Sequence, residues 1–241
     1  KAERNVRLLE QAVTELEPDA SIAERVYLEY KLAMALGPGP VGRNHLLRAA
    51  SRLLKAGTAE AGRCGVAAEL LVTASQAWRQ GGAASQALAS AELAQVLAPN
   101  HPMPLLVRAQ AQLQSGLVDQ AADSLSELSG FKGGGFHYDE SEFDAAVTVL
   151  EASLSERRGD NQTALTQLEG LVERQPHSPQ ATHIYLAAVA RIGDPKRAIA
   201  LGTEHMRQHG PSSHVLLACA MAADRLGMTE RATKWRNLAG A

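Results

Sequence analysis

The chain has 241 residues, 45% of them hydrophobic and only 4% aromatic, with a formal net charge of −2 at pH 7. That balance excludes bulk electrostatic attraction to nucleic acid. No uninterrupted apolar run approaches the ~18 residues of a membrane-spanning helix, and with so few aromatics any core must be filled by Leu and Ala.

In chain order, apolar periodicity with Gly and Pro as punctuation predicts about thirteen helices and no strand. The first covers residues 2–16 and stops at Glu17-Pro18-Asp19. The second covers 22–36 and is broken by Gly37-Pro38-Gly39-Pro40; the third covers 44–55. Paired helices follow from Glu60 onward. The chain begins with Lys1 rather than Met and runs directly into helical pattern, which reads as a domain cut from something longer or a processed product. Cys64 and Cys219 have no metal-ligand spacing, so a reduced, cytoplasmic setting is the simpler expectation.

The paired region repeats. A Gly followed five residues later by Ala recurs at Gly82/Ala87, Gly116/Ala121, Gly159/Ala164, Gly193/Ala198 and Gly227/Ala232, and the alanine steps are 34, 43, 34 and 34 residues. Alanine is the best helix former but buries little surface, so its recurrence suits helices that cross closely. The long step falls in 129–143, "SGFKGGGFHYDESEF", the one Gly-rich loop. A P-loop needs Lys and then Ser or Thr after its last glycine; here Lys132 precedes the glycines and Phe136 follows them, so the segment reads as an inter-repeat connection or a lid. Asp139 and Glu142 form a capping-box pattern for the next helix.

A period of 34 residues is that of the tetratricopeptide helix–turn–helix unit. The first unit carries Leu71-x2-Ala74-Ser75-x2-Trp78 on one helix, Ala87-x3-Ala91 on the next, and Pro99 as its close. On these residues the chain resembles tetratricopeptide repeat (TPR) proteins over about residues 60–241. The resemblance implies an all-α, right-handed superhelical α-solenoid of antiparallel helix pairs, with the first helix of each pair lining a concave groove. The domain division expected is 1–58, irregular helices forming a degenerate repeat or linker, then 59–241, an array of about five helix pairs with an insertion at 129–143.

Candidate site residues follow. Arg157, Arg191 and Arg225 recur at steps of 34, each two residues before its Gly. Two readings stand: a cation in a helix's last turn complements the helix dipole, or a row of guanidinium groups grips a carboxylate-bearing peptide. His183 and Met221, with Val149 and Leu217, are the groove-side neighbours. Arg48, Arg52 and Lys55, at i, i+4 and i+7 in a stretch without Asp or Glu, form a basic face, either solvated or docked on an acidic partner or anionic membrane. His205 and His209 share a helix face, but no further ligands accompany them, so no metal site is expected. No nucleophile, zinc or phosphate motif is present. A non-enzyme without cofactor is expected.

Arg4-Asn5, Leu8-Leu9-Glu10 and Pro18-Asp19 are similar to the segment that joins the catalytic domain to the repeats in some bacterial GT-A-type glycosyltransferases. That resemblance implies a non-catalytic C-terminal region, able to contact an intramolecular glycosyltransferase domain and acting as a protein-interaction scaffold. The alternative is a free-standing adaptor that binds acidic peptide segments.

Overall fold

A computed structural model describes residues 2–131 and 140–240, with Ala2 and Glu140 described by backbone alone. They form two compact units, Lys1–Phe136 and His137–Ala241, which divide within the 129–143 segment. The first unit holds α1 (Ala2–Thr14), α2 (Ile22–Leu36), α3 (Pro40–Ala61), α4 (Ala67–Gln80), α5 (Ala84–Leu97), α6 (Pro102–Gln114) and α7 (Val118–Ser129). The second holds α8 (Glu140–Arg157), α9 (Asn161–Arg174), α10 (Pro179–Ile192), α11 (Pro195–His209), α12 (Ser213–Arg225) and α13 (Thr229–Gly240). No strand occurs among the described residues. Lys132, Phe136 and Asp139, with most of the Gly-rich loop and its expected capping box, lie outside them.

The main difference from expectation is at α3, which starts at Pro40 and continues to Ala61. Proline lacks an N–H and has a fixed φ, so it breaks a helix interior but suits a first turn. Pro40 opens the helix instead of separating it from α2. Gly57, at φ 80°, interrupts the helix near its end.

Within each pair the second helix lies against the first, and first helices also stack on first helices, α4 on α6 and α10 on α12. The five periodic alanines explain the closeness. Ala87, Ala121, Ala164, Ala198 and Ala232 sit on α5, α7, α9, α11 and α13 and are at most 1% exposed. At the α4–α5 crossing, Ser75 Oγ donates to the Ala87 carbonyl (2.8 Å) and Ser90 Oγ to the Leu71 carbonyl (2.9 Å). A small hydroxyl thus sits at the contact with its hydrogen bond satisfied. Larger side chains fill the space between helices: Tyr30, Leu53, Leu70 and Leu71 in the first unit, Leu186, Val189 and Val215 in the second.

The turns explain the periodic glycine. Gly82, Gly116, Gly159 and Gly227 have φ between +73° and +83°, and the next residue's N–H reaches back five residues, as from Ala83 to Trp78 and from Met228 to Ala223. This closure needs a left-handed residue, which glycine supplies without steric cost. Gly193 departs from it, with φ −95°. Its helix end is satisfied by a side chain from the next repeat, described below.

Candidate functional site

The three periodic arginines end α8, α10 and α12, the first helices of the second unit. Arg157 is exposed, and its charge acts on the adjacent Glu156. Arg191 is held: its Nε and Nη2 donate to the two Glu156 carboxylate oxygens at 2.7 and 2.6 Å, a bidentate pair from α10 to α8. Those bonds hold the Glu156 carboxyl below its usual range, with burial opposing them. Arg225 Nη1 donates to the carbonyls of Ala190 (2.9 Å) and Gly193 (2.8 Å) at the end of α10. The last carbonyls of a helix lack intrahelical donors, and here the following repeat supplies one. In the first unit Gln114, two residues before Gly116, does the same toward the Arg79 carbonyl (3.0 Å).

Two of the three arginines are therefore engaged within the fold and not open to a carboxylate-bearing peptide. Arg191 and Arg225 tie successive first helices together, whereas Arg157 makes no such tie among the described residues. The dipole reading changes as well, because Arg225 caps the preceding repeat's helix rather than its own.

The solvent side of these helices carries the remaining groove candidates. Val149 and His183 are half-buried, whereas Leu217 is 50% exposed and Met221, one turn on, 39%. Position 217 is the repeat equivalent of 183 and 149. The last first helix therefore presents large apolar side chains where α10 presents His183.

Four histidines meet beside them. The His183 and His214 rings are stacked at 5.2 Å, His205 stands edge-on to His183 at 5.6 Å, and His209 lies 4.8 Å from His205. Ser212 Oγ is 3.3 Å from His183 Nε2. Burial, then the neighbouring imidazoles, pushes His183 below the ordinary histidine range; burial and His209 do the same to His205. Sequence spacing exposes only the His205/His209 pair. His183 and His214 are 31 residues apart and meet because α10 stacks on α12, a contact that the 34-residue period would have revealed. Among the described residues no group of three or more His, Cys, Asp or Glu is arranged to hold a metal ion.

The basic face on α3 is divided. Arg52 Nε pairs with Glu29 Oε2 on α2 at 3.1 Å, and that carboxylate side chain is only 3% exposed. A buried charge needs a partner, so Arg52 serves α2–α3 packing instead of completing a docking surface. Arg48 and Lys55 are exposed. No helix among the described residues is long and apolar enough to cross a membrane.

No protein-family model and no curated protein matches the chain. Solved structures do match in fold. A tetratricopeptide repeat protein from Parabacteroides merdae ATCC 43184 superposes with a TM-score of 0.62 at 12% identity, over 99% of this chain and 92% of that one. The APC/C hetero-tetramer Cut9–Hcn1 gives 0.61 at 12% identity, over 98% of this chain and 42% of that one, so this chain spans less than half of that protein. Together with the 34-residue repeat, the buried alanines and the paired helices, these matches identify the architecture as an all-α tetratricopeptide-type helical repeat fold.

Proposed function

We propose that the chain is a non-catalytic protein-interaction module whose partner surface in the second unit is the solvent side of α8, α10 and α12. The observation that carries this is Leu217 and Met221, large apolar side chains exposed one turn apart on α12. Adjacent exposed apolar groups of this kind mark contact surfaces, and His183 and Arg157 extend the row. A photo-crosslinking residue at 217 or 221 should give one discrete adduct in cells of the source organism. The same probe at Leu201, 38% exposed on α11, should give none. Equal labelling at 201, or no adduct at 217 and 221, would refute the assignment.

The fuller reading makes the module the C-terminal region of a bacterial glycosyltransferase, working in the cytoplasm. Its support is the Arg4–Asp19 similarity, and a GT-A domain immediately upstream in the parent reading frame would test it. Residues 1–58 then form the junction, and the regular array starts at 59, just past the Gly57 interruption. An adaptor that grips acidic peptides through the whole arginine row is the weaker reading, because Arg191 and Arg225 are engaged within the fold.

A further inference from the structure

We propose that the histidine cluster of α10, α11 and α12 is an acid-sensitive latch: neutral imidazoles let the three helices pack, and protonation drives them apart. The geometry is four rings in one chain, His214–His183–His205–His209, with successive centroids 4.8–5.6 Å apart and drawn from three helices. At that spacing, two protonated rings repel strongly unless a carboxylate intervenes.

Among the described residues, no acid on the helices packed here is bonded to a ring of the cluster. On α11, Glu204 is bonded to Arg207 and Gln208, and Asp194 caps the opposite end of the helix. On α9, Glu169 pairs with Arg197, and Glu173 acts on Tyr185. On α12, Asp224 pairs with Arg236 of α13. Glu230 opens α13, whereas the α12 N-terminus beside the cluster touches Ala239 at that helix's other end. The charges that act on His183 are His214 and His205, and the one that acts on His205 is His209. The helix dipoles oppose one another here. His209 ends α11, where a cation is favoured, and His214 lies in the first turn of α12, where it is not.

The pH dependence follows. His183 and His205 are harder to protonate in the folded chain than in the unfolded one. The unfolded state therefore binds more protons as pH falls below the ordinary imidazole value of about 6.5. Stability is full above that value, is lost as pH falls through the folded-state values, and levels off below them. His183 and His205 are the inner rings of the cluster, each meeting two others.

Two measurements on the full chain test this. Imidazole NMR titration should show His183 and His205 titrating below about 6.5. Thermal melts at pH 7.5 and 5.0 should show wild type losing at least about 3 °C more than His183→Gln/His205→Gln. Histidines that titrate at or above the free value, or melts that fall equally, overturn the latch. Should the double variant fail to fold, His209→Gln decides by the same titration. Loss of that neighbouring charge should raise the titration point of His205, and an unmoved point overturns the proposal.

Discussion

Gly202, in the middle of α11, is the tightest test of how the second unit packs. It is buried. A methyl group built there would approach Cys219 Sγ on α12 closer than 3.0 Å, while meeting Leu186 and Val215 at an ordinary 3.5 Å. Favourable non-bonded contact begins at about 3.5–4.0 Å, so α11 and α12 must part or the sulfur must turn. Cys219 is 0% exposed, as are Val215 and Ala222, so the sulfur would have to turn within a close-packed interior. Overpacking of this kind costs about 1–3 kcal/mol, against about 1 kcal/mol gained by replacing a mid-helix glycine with alanine. Gly202→Ala should therefore lose up to about 2 kcal/mol, or up to roughly 8 °C in Tm. Urea denaturation of Gly202→Ala, Cys219→Ala and the pair gives a double-mutant cycle. Since Cys219→Ala removes the clashing sulfur, the pair should be at least about 1 kcal/mol more stable than additivity predicts. An additive cycle would refute the close crossing.

Three further outcomes follow from the ties described above. Arg225→Ala leaves the α10 carbonyls of Ala190 and Gly193 to water and should cost about 0.5–1.5 kcal/mol in urea denaturation, with faster amide exchange at the start of α11 as a local signature. Glu29→Gln removes the buried charge facing Arg52; because the Arg52 side chain is 41% exposed, the expected loss is about 1–3 kcal/mol, below that of a fully buried pair, and an unchanged thermal melt would show the pair to be idle. The purified chain should leave a nucleotide sugar intact, and turnover abolished by one point substitution within 1–241 would overturn the non-catalytic assignment.

The repeat was legible because two steric demands recur at one interval. A turn closed by a left-handed residue accepts glycine, and a close helix crossing accepts alanine; both demands return with each pair. Helix beginnings were less legible. Pro40 looks like a break when it follows Gly37-Pro38-Gly39, but the fixed φ that stops one helix starts another, and only the packing of α3 on α2 decides which applies. The role of Arg52 was hidden for a related reason. Arg48, Arg52 and Lys55 share a helical face, yet Glu29 lies 23 residues before Arg52, and nothing local in the sequence announces that it is buried.

The arginine row shows why a periodic residue in a repeat protein is weak evidence for a ligand. In a stacked array, any position that contacts the previous unit recurs at the repeat length, as a residue lining a binding surface would. What separates the two cases is the partner. At this position Gln114 reaches the carbonyl of residue 79, Arg225 that of residue 190 and Arg191 the side chain of Glu156, each partner lying 35 residues back. Each bond runs from the end of one first helix to the end of the one before it. Glutamine and arginine interchange because the task is to donate to an oxygen one repeat away, which both can do. A ligand-reading row would demand the same charge at every step and leave it unpaired. On α8, α10 and α12 the repeats differ from one another at 149, 183 and 217, occupied by Val, His and Leu, and these are the positions from which the proposed partner surface would draw its specificity.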